Sequence, residues 1–127
     1  MKPKILVVDD HGVARAMVIR FLGPDYDFVE AASGDEALKV LGADHEVRLV
    51  LCDYMMPGIN GMEFLRRKAS IPGKAEVPVI IVTSIRDDKA ITQAESLGAA
   101  QWVLKPFTAQ VLKDAVTNAL KMPRGKP

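Results

Sequence analysis

The sequence predicts a three-layer α/β fold, a five-stranded parallel sheet with helices on both faces. Two observations predict it. Five short apolar runs are each followed by a segment with helical periodicity. The strongest runs are also continuously apolar rather than alternating, as strands buried on both faces must be.

The first run, Ile5-Leu6-Val7-Val8, ends at Asp9-Asp10. Behind it, Val13, Ala14, Met17, Val18, Phe21 and Leu22 recur at three and four residues, the stripe of an amphipathic helix that Gly23-Pro24 stops. Phe28-Val29 reads as a short second strand, and Ser33-Gly34-Asp35-Glu36 is a capping box opening a helix through Leu41-Gly42. Leu49-Val50-Leu51-Cys52 is a buried strand ending at Asp53. A Pro/Gly loop over residues 56–61 leads to a helix that turns Met62, Leu65 and Ala69 inward, with Arg66-Arg67-Lys68 as its solvated face. Val79-Ile80-Ile81-Val82, the most β-branched run, ends at Thr83-Ser84. Asp87 and Asp88 suit a helix N-terminus, where negative charge is favoured. That helix carries Ile91, Ala94 and Leu97 and closes at Gly98. Trp102-Val103-Leu104 precedes Lys105-Pro106, and the last helix presents Val111, Leu112, Ala115, Val116, Ala119 and Leu120 on one face.

Composition narrows the class. At 127 residues, 49% hydrophobic and 26% charged, the chain is one globular domain rather than a disordered or coiled-coil segment. Seventeen Lys and Arg against sixteen Asp and Glu leave a net charge of +1, too small a field for direct nucleic-acid binding. No apolar run reaches the ~20 residues of a membrane span, and the N-terminus does not read as a signal peptide. A single cysteine, Cys52, excludes a disulfide scaffold and fits a buried core position in a cytoplasmic protein. The basic tail from Lys121 to Pro127 is expected to fray, or to be the start of a linker to a further domain.

Ligands of open parallel sheets bind beyond the carboxyl ends of the strands. The residues directly after the apolar runs are Asp9 and Asp10, then Asp53, then Thr83 and Ser84, then Lys105; the second run ends in Glu30-Ala31-Ala32 and adds nothing clear. Three carboxylates on one rim repel unless a cation stands between them, and Mg2+ accepts carboxylates, waters and phosphate oxygens. Lys105 adds an ammonium that can meet a phosphate, and Thr83 a hydroxyl donor. Such a set neutralises and orients a phosphoryl group, which is most of phosphoryl-transfer catalysis. No serine or cysteine has an evident base beside it, so the expected nucleophile is a carboxylate. Taken singly, aspartates after strands often only cap helices or make turns; the agreement of four strand ends is what favours a site.

These residues resemble the receiver domain of bacterial two-component response regulators. The resemblance rests on ILVVDD, VLCDYMMPGINGMEFL around Asp53, VPVIIVTS and GAAQWVLKPF, and it runs from residue 4 to about 121. The continuation KPFTAQVLKDAV is most similar to a stand-alone, chemotaxis-type (CheY-like) receiver. The resemblance implies the flavodoxin-like strand order 2-1-3-4-5, a receiver domain over residues 1–122 and a flexible tail at 123–127. It implies Asp53 as phosphoacceptor, taking its group from a sensor histidine kinase, a phosphotransfer protein or a small acyl phosphate. Mg2+ would be held by Asp10, Asp53 and the Met55 backbone carbonyl, with Asp9 acting largely through water. Lys105 would pair with the phosphate, Thr83 would move to bond it, and Trp102 would follow inward. The Lys105-Pro106 bond is similar to one that is cis in the family. A downstream target protein would read the outer face of the last two helices and fifth strand, on which Ile91, Ala99 and Trp102 lie. The chain would be a signalling switch rather than an enzyme, catalysing only its own phosphoryl uptake and loss.

Position 102 departs from the Tyr or Phe usual in the family, and the larger indole puts the aromatic switch in question. Apolar Met55 and Ile85 are expected to shield the acyl phosphate from water, His11 and His45 to be exposed, and Met56 to anchor packing. Other classes fit less well. An aspartate-nucleophile phosphatase needs a carboxylate two residues after its first-strand nucleophile, where His11 stands. A flavodoxin-like carrier needs a hydroxyl- and Gly-rich loop where Asp9-Asp10 would repel the FMN phosphate. A receiver-like module that no longer takes phosphate, and the receiver fragment of a longer regulator, remain the alternatives.

Overall fold

The computed structural model describes residues 2–121. The elements alternate strictly: β1 (Lys4–Val8), α1 (Gly12–Leu22), β2 (Asp27–Ala31), α2 (Gly34–Ala43), β3 (Val47–Asp53), α3 (Gly61–Lys68), β4 (Val79–Thr83), α4 (Asp88–Ser96), β5 (Ala99–Leu104) and α5 (Ala109–Lys121). All five strands pair in parallel in the order β2-β1-β3-β4-β5. The expected tail at 123–127 and its boundary lie outside the described residues.

Successive strand residues point to opposite faces, so a run apolar at every position feeds two cores. Ile5, Val7, Leu49, Leu51, Ile80 and Val82 face one side, with Val18 and Leu22 of α1 and Leu112, Ala115, Val116 and Ala119 of α5. Leu6, Val8, Val50, Cys52, Val79 and Ile81 face the other, against Ala37 and Leu41 of α2, Phe64 and Leu65 of α3, and Ala90 and Ala94 of α4. Three helices therefore cover one face and two the other.

Strand order places the site. β1 lies between β2 and β3, so the chain turns outward in opposite senses from the carboxyl ends of β1 and β3 and leaves a crevice there. Asp9 and Asp10 directly follow β1, and Asp53 closes β3.

Several sequence expectations are corrected. α1 buries only Val18 and Leu22, while Val13 is 85% exposed. At 100° per residue, Val13 points about 160° away from the centre of the Val18–Leu22 face. Met17 is also exposed, and Val111 stands about 90° off the buried stripe of α5 and is half exposed. Ala69 is not inward: it caps α3 and is exposed, while Phe64 fills that core. Lys68 is not on a solvated face. It is buried, because the chain after α3 folds back in successive turns and the Ala75 carbonyl accepts from Lys68 Nζ at 2.9 Å. β5 starts three residues before its expected run: Ala99 and Gln101 pair with Val79 and Ile80, and the register shifts at Ala100 between them. The Ser33 cap is present, accepting from the Glu36 N–H at 3.1 Å, but the Glu36 carboxylate reaches back to the Ala32 N–H rather than that of Ser33.

Candidate phosphoryl-accepting site

The five rim residues come from four strand ends, and the structure brings Lys105, Asp9 and Asp53 into contact. Lys105 Nζ stands 3.4 Å from Asp53 Oδ2 and 3.5 Å from Asp9 Oδ2. The Lys105 backbone N–H donates to the Thr83 carbonyl at 2.8 Å, which fixes the end of β5 on β4 and aims the side chain along the rim. The Lys105-Pro106 peptide is cis, as the resemblance implied.

Asp53 is nearly enclosed. Its Oδ1 accepts from the Met55 N–H at 3.3 Å, while Met56 packs into the core and anchors the loop that follows. Gly61, the first residue of α3, is equally tied to this strand end: its N–H donates to the Tyr54 carbonyl at 2.8 Å. A Cβ at position 61 would stand 3.0 Å from the Asp53 carbonyl oxygen and from Tyr54 Cα, so only glycine lets α3 start this close. Burial pushes the Asp53 carboxyl above its ordinary range; the Lys105 ammonium pulls it back down, and the Asp9 charge adds to the rise. Cys52, directly before it, is buried, and burial pushes its thiol up, so it is inert core.

Asp9 is as buried as Asp53, with Oδ1 accepting from the His11 N–H at 2.9 Å. Asp10 is partly exposed, yet its Oδ1 is buried without a hydrogen-bond partner among the described residues. Such an oxygen costs desolvation unless something positive meets it. His11 is exposed as expected, but its Nδ1 lies 3.4 Å from both Asp9 Oδ1 and Asp10 Oδ1. His45 is exposed as well.

Thr83 is buried, its Oγ1 accepting from the Ile85 N–H at 3.3 Å. The next peptide is held as well, because Trp102 Nε1 donates to the Ile85 carbonyl at 3.0 Å. The half-buried indole packs 5.5 Å from the Tyr54 ring, tilted by 50°. Of the residues expected on the partner-reading face, Ile91 and Trp102 are half-buried, whereas Ala99 is buried and offers little surface. Met55 is 60% exposed and Ile85 half-buried.

Two residues of the site were not singled out from sequence. Arg15 Nη1 donates to the Asp9 carbonyl at 2.6 Å, and Arg15 Nε donates to Glu30 Oε1 at 2.9 Å. This brace from α1 to β2 holds the turn that presents the acidic pair. Glu30 is the penultimate residue of β2, the strand whose end adds no clear site residue in the sequence, and its only sequence signal is a charge amid apolar residues.

A doubly wound sheet with acids, ammonium and hydroxyl gathered at its switch point defines a phosphoryl-accepting α/β domain, and the comparisons give the family. Residues 5–117 match the model of the response regulator receiver domain. The chain is 32% identical over 120 residues to a chemotaxis protein CheY homolog of Campylobacter jejuni, covering 92% of each. It is 32% identical to the chemotaxis protein CheY of Pseudomonas aeruginosa, covering 96% of this chain and 99% of that one. The structure of the chemotaxis response regulator CheY4 of Vibrio cholerae superposes with a TM-score of 0.86 at 26% identity, over 94% of this chain and 99% of the other. The chain belongs to the response regulator receiver domain family and serves in two-component phosphorelay. Receiver domains of this family bind Mg2+ at an acidic pocket, and the donor set here, which includes the orphaned Asp10 oxygen, fits a hard divalent cation.

Proposed function

We propose that Asp53 is the phosphoacceptor, that the donor is the phosphohistidine of a sensor histidine kinase or phosphotransfer protein, and that a downstream target reads the α4–β5–α5 face. The observation that carries this reading is the Lys105 ammonium set between Asp53 and Asp9. It makes no other hydrogen bond among the described residues, and it is placed to meet the oxygens of a phosphoryl group on Asp53. An Asp53 oxygen attacks phosphorus, the P–N bond to the donor imidazole breaks, and the leaving nitrogen keeps its electron pair. In the reverse direction of signalling, water attacks phosphorus, the P–O bond to Asp53 breaks, and inorganic phosphate departs. The domain thus acts only on itself.

Bound Mg2+ would neutralise the phosphoryl oxygens, and Asp10, Asp53 and the Met55 carbonyl would hold it with Asp9 in support through water. Thr83 and Lys105 orient the group. The backbone of Ile85 links this chemistry to the surface, since its N–H donates to the Thr83 hydroxyl and its carbonyl, in the next peptide, accepts from the Trp102 indole. When the Thr83 hydroxyl turns toward a phosphate oxygen, this residue loses one of its two ties, and the loop before α4 shifts with Trp102. The chemotaxis proteins among the relatives support a stand-alone role of this kind.

The test is beryllium fluoride, a phosphoryl mimic, titrated with Mg2+ while the Trp102 indole 15N–1H resonance is recorded. The expected result is a saturable shift that Asp53→Asn abolishes. Saturation at Asp53 with an unmoved indole would remove Trp102 from the switch.

A further inference from the structure

We infer that His11 is a ligand-bearing side chain of the cation pocket and tunes it toward later first-row divalent ions relative to Mg2+. The inference rests on the reading that the acidic pocket takes a divalent cation. Asp9, Asp10 and His11 each offer one ligand atom, and these atoms all lie within 4.8 Å of one another. His11 Nδ1 is 3.4 Å from Asp9 Oδ1 and from Asp10 Oδ1, the latter being the buried oxygen without a hydrogen-bond partner. Neighbouring ligands about 2.1 Å from a six-coordinate ion stand about 3 Å apart, so His11 Nδ1 and the Asp10 oxygen, 3.4 Å apart, are close to coordinating separation, with Asp9 in support through water.

The backbone supports that aim. His11 occupies the N-cap of α1 in an extended conformation, φ −101° and ψ 114°. N-cap side chains usually accept from the helix's free N–H groups, but the His11 imidazole makes no such bond. Its own N–H instead donates to Asp9 Oδ1 at 2.9 Å, which ties the residue to the pocket and leaves the ring turned to the acids. The ring is 75% exposed, so it can rotate onto an ion without displacing core atoms.

The chemistry decides which ions gain. Carboxylates, carbonyls and water are the ligands of Mg2+, which demands oxygen and gains little from imidazole. Imidazole suits Fe2+, Ni2+, Cu2+ and Zn2+, whereas Mn2+ stands with Mg2+ among the ions that oxygen ligands suit. Adding one ring nitrogen to an all-oxygen pocket therefore changes the ratio of affinities more than it changes Mg2+ binding itself.

The experiment measures Mg2+ and Ni2+ binding by calorimetry, and forms the Mn2+ complex for electron paramagnetic resonance, at pH 8 for wild type, His11→Ala and His11→Gln, with far-ultraviolet circular dichroism to confirm folding. Electron spin-echo modulation of the Mn2+ complex reads directly coordinated 14N. The expected outcome is a nitrogen coupling in wild type that both variants lose, with Ni2+ affinity lowered about tenfold and Mg2+ affinity changed by less than about threefold. His45→Ala keeps the coupling. Mg2+ binding with an unchanged Ni2+ to Mg2+ affinity ratio across the variants, or bound Mn2+ with no coordinated nitrogen, would overturn the role of His11 alone. No saturable binding of any of the three ions to wild type would overturn the cation pocket as well.

Discussion

At Asp53 three influences meet on one carboxylate: burial, the Lys105 ammonium and the Asp9 charge. Their balance leaves the carboxyl above its ordinary 3.8, so the fold favours its protonated form. A carboxyl raised in the native state contributes stability below its unfolded pKa and loses it as pH rises through the folded value. At pH 7 without Mg2+ the ionised Asp53 is therefore a burden on the fold. Asp53→Asn is expected to raise Tm by a few degrees at pH 7 in Mg2+-free buffer, and the gain should vanish by about pH 3. Thermal scans of both proteins across that range check it. Lys68 carries the opposite charge and a similar lesson. Burial lowers its ammonium from the ordinary 10.5 to about 8, a cost of roughly 3 kcal/mol, offset in part by the Ala75 carbonyl. A lysine lowered in the native state destabilises fully below the folded value, and stability recovers as pH rises from there toward 10.5. Ala75 is exposed, so water can take over its carbonyl when the amine is removed. Lys68→Met is expected to gain about 1–2 kcal/mol at pH 7 in urea unfolding, shrinking above pH 8.

Among the elements, strands were more legible than helix faces. A run such as Val79-Ile80-Ile81-Val82 admits one reading, because every position must be apolar when both faces are covered. Strand ends were equally legible, since Asp9, Asp10, Asp53, Thr83 and Lys105 interrupt apolar runs where a parallel sheet collects its ligands. Helix stripes were less so. Val13, Met17 and Val111 share the apolar character of Val18 and Leu112, and sequence spacing alone did not separate the edge of a stripe from its centre. The Arg15–Glu30 brace was not legible either, because it joins a helix to a strand across 15 residues with no local spacing rule. This difference is measurable: Val13→Ser should change stability by no more than about 0.5 kcal/mol. Leu112→Ala, at a fully buried position of α5, should cost about 2–5 kcal/mol. Equal losses in denaturant titrations would mean that α1 packs differently.

For the molecule as a whole, two cores hold one sheet while its carboxyl rim gathers the candidate site. The sheet sets where Asp9, Asp53 and Lys105 stand, and the backbone of Ile85, bonded to Thr83 through its N–H and to Trp102 through its carbonyl, connects that rim to the Trp102 side of the fold. In the proposed function, what travels along it would begin with one event, a phosphoryl group on Asp53. The most direct test is intact mass after incubation with acetyl phosphate, with and without Mg2+, for wild type and Asp53→Asn. The account predicts a Mg2+-dependent gain of one phosphoryl group in wild type and none in the variant. A gain that survives Asp53→Asn, or a wild type that stays unmodified with both acetyl phosphate and a phosphorylated histidine donor, would contradict it.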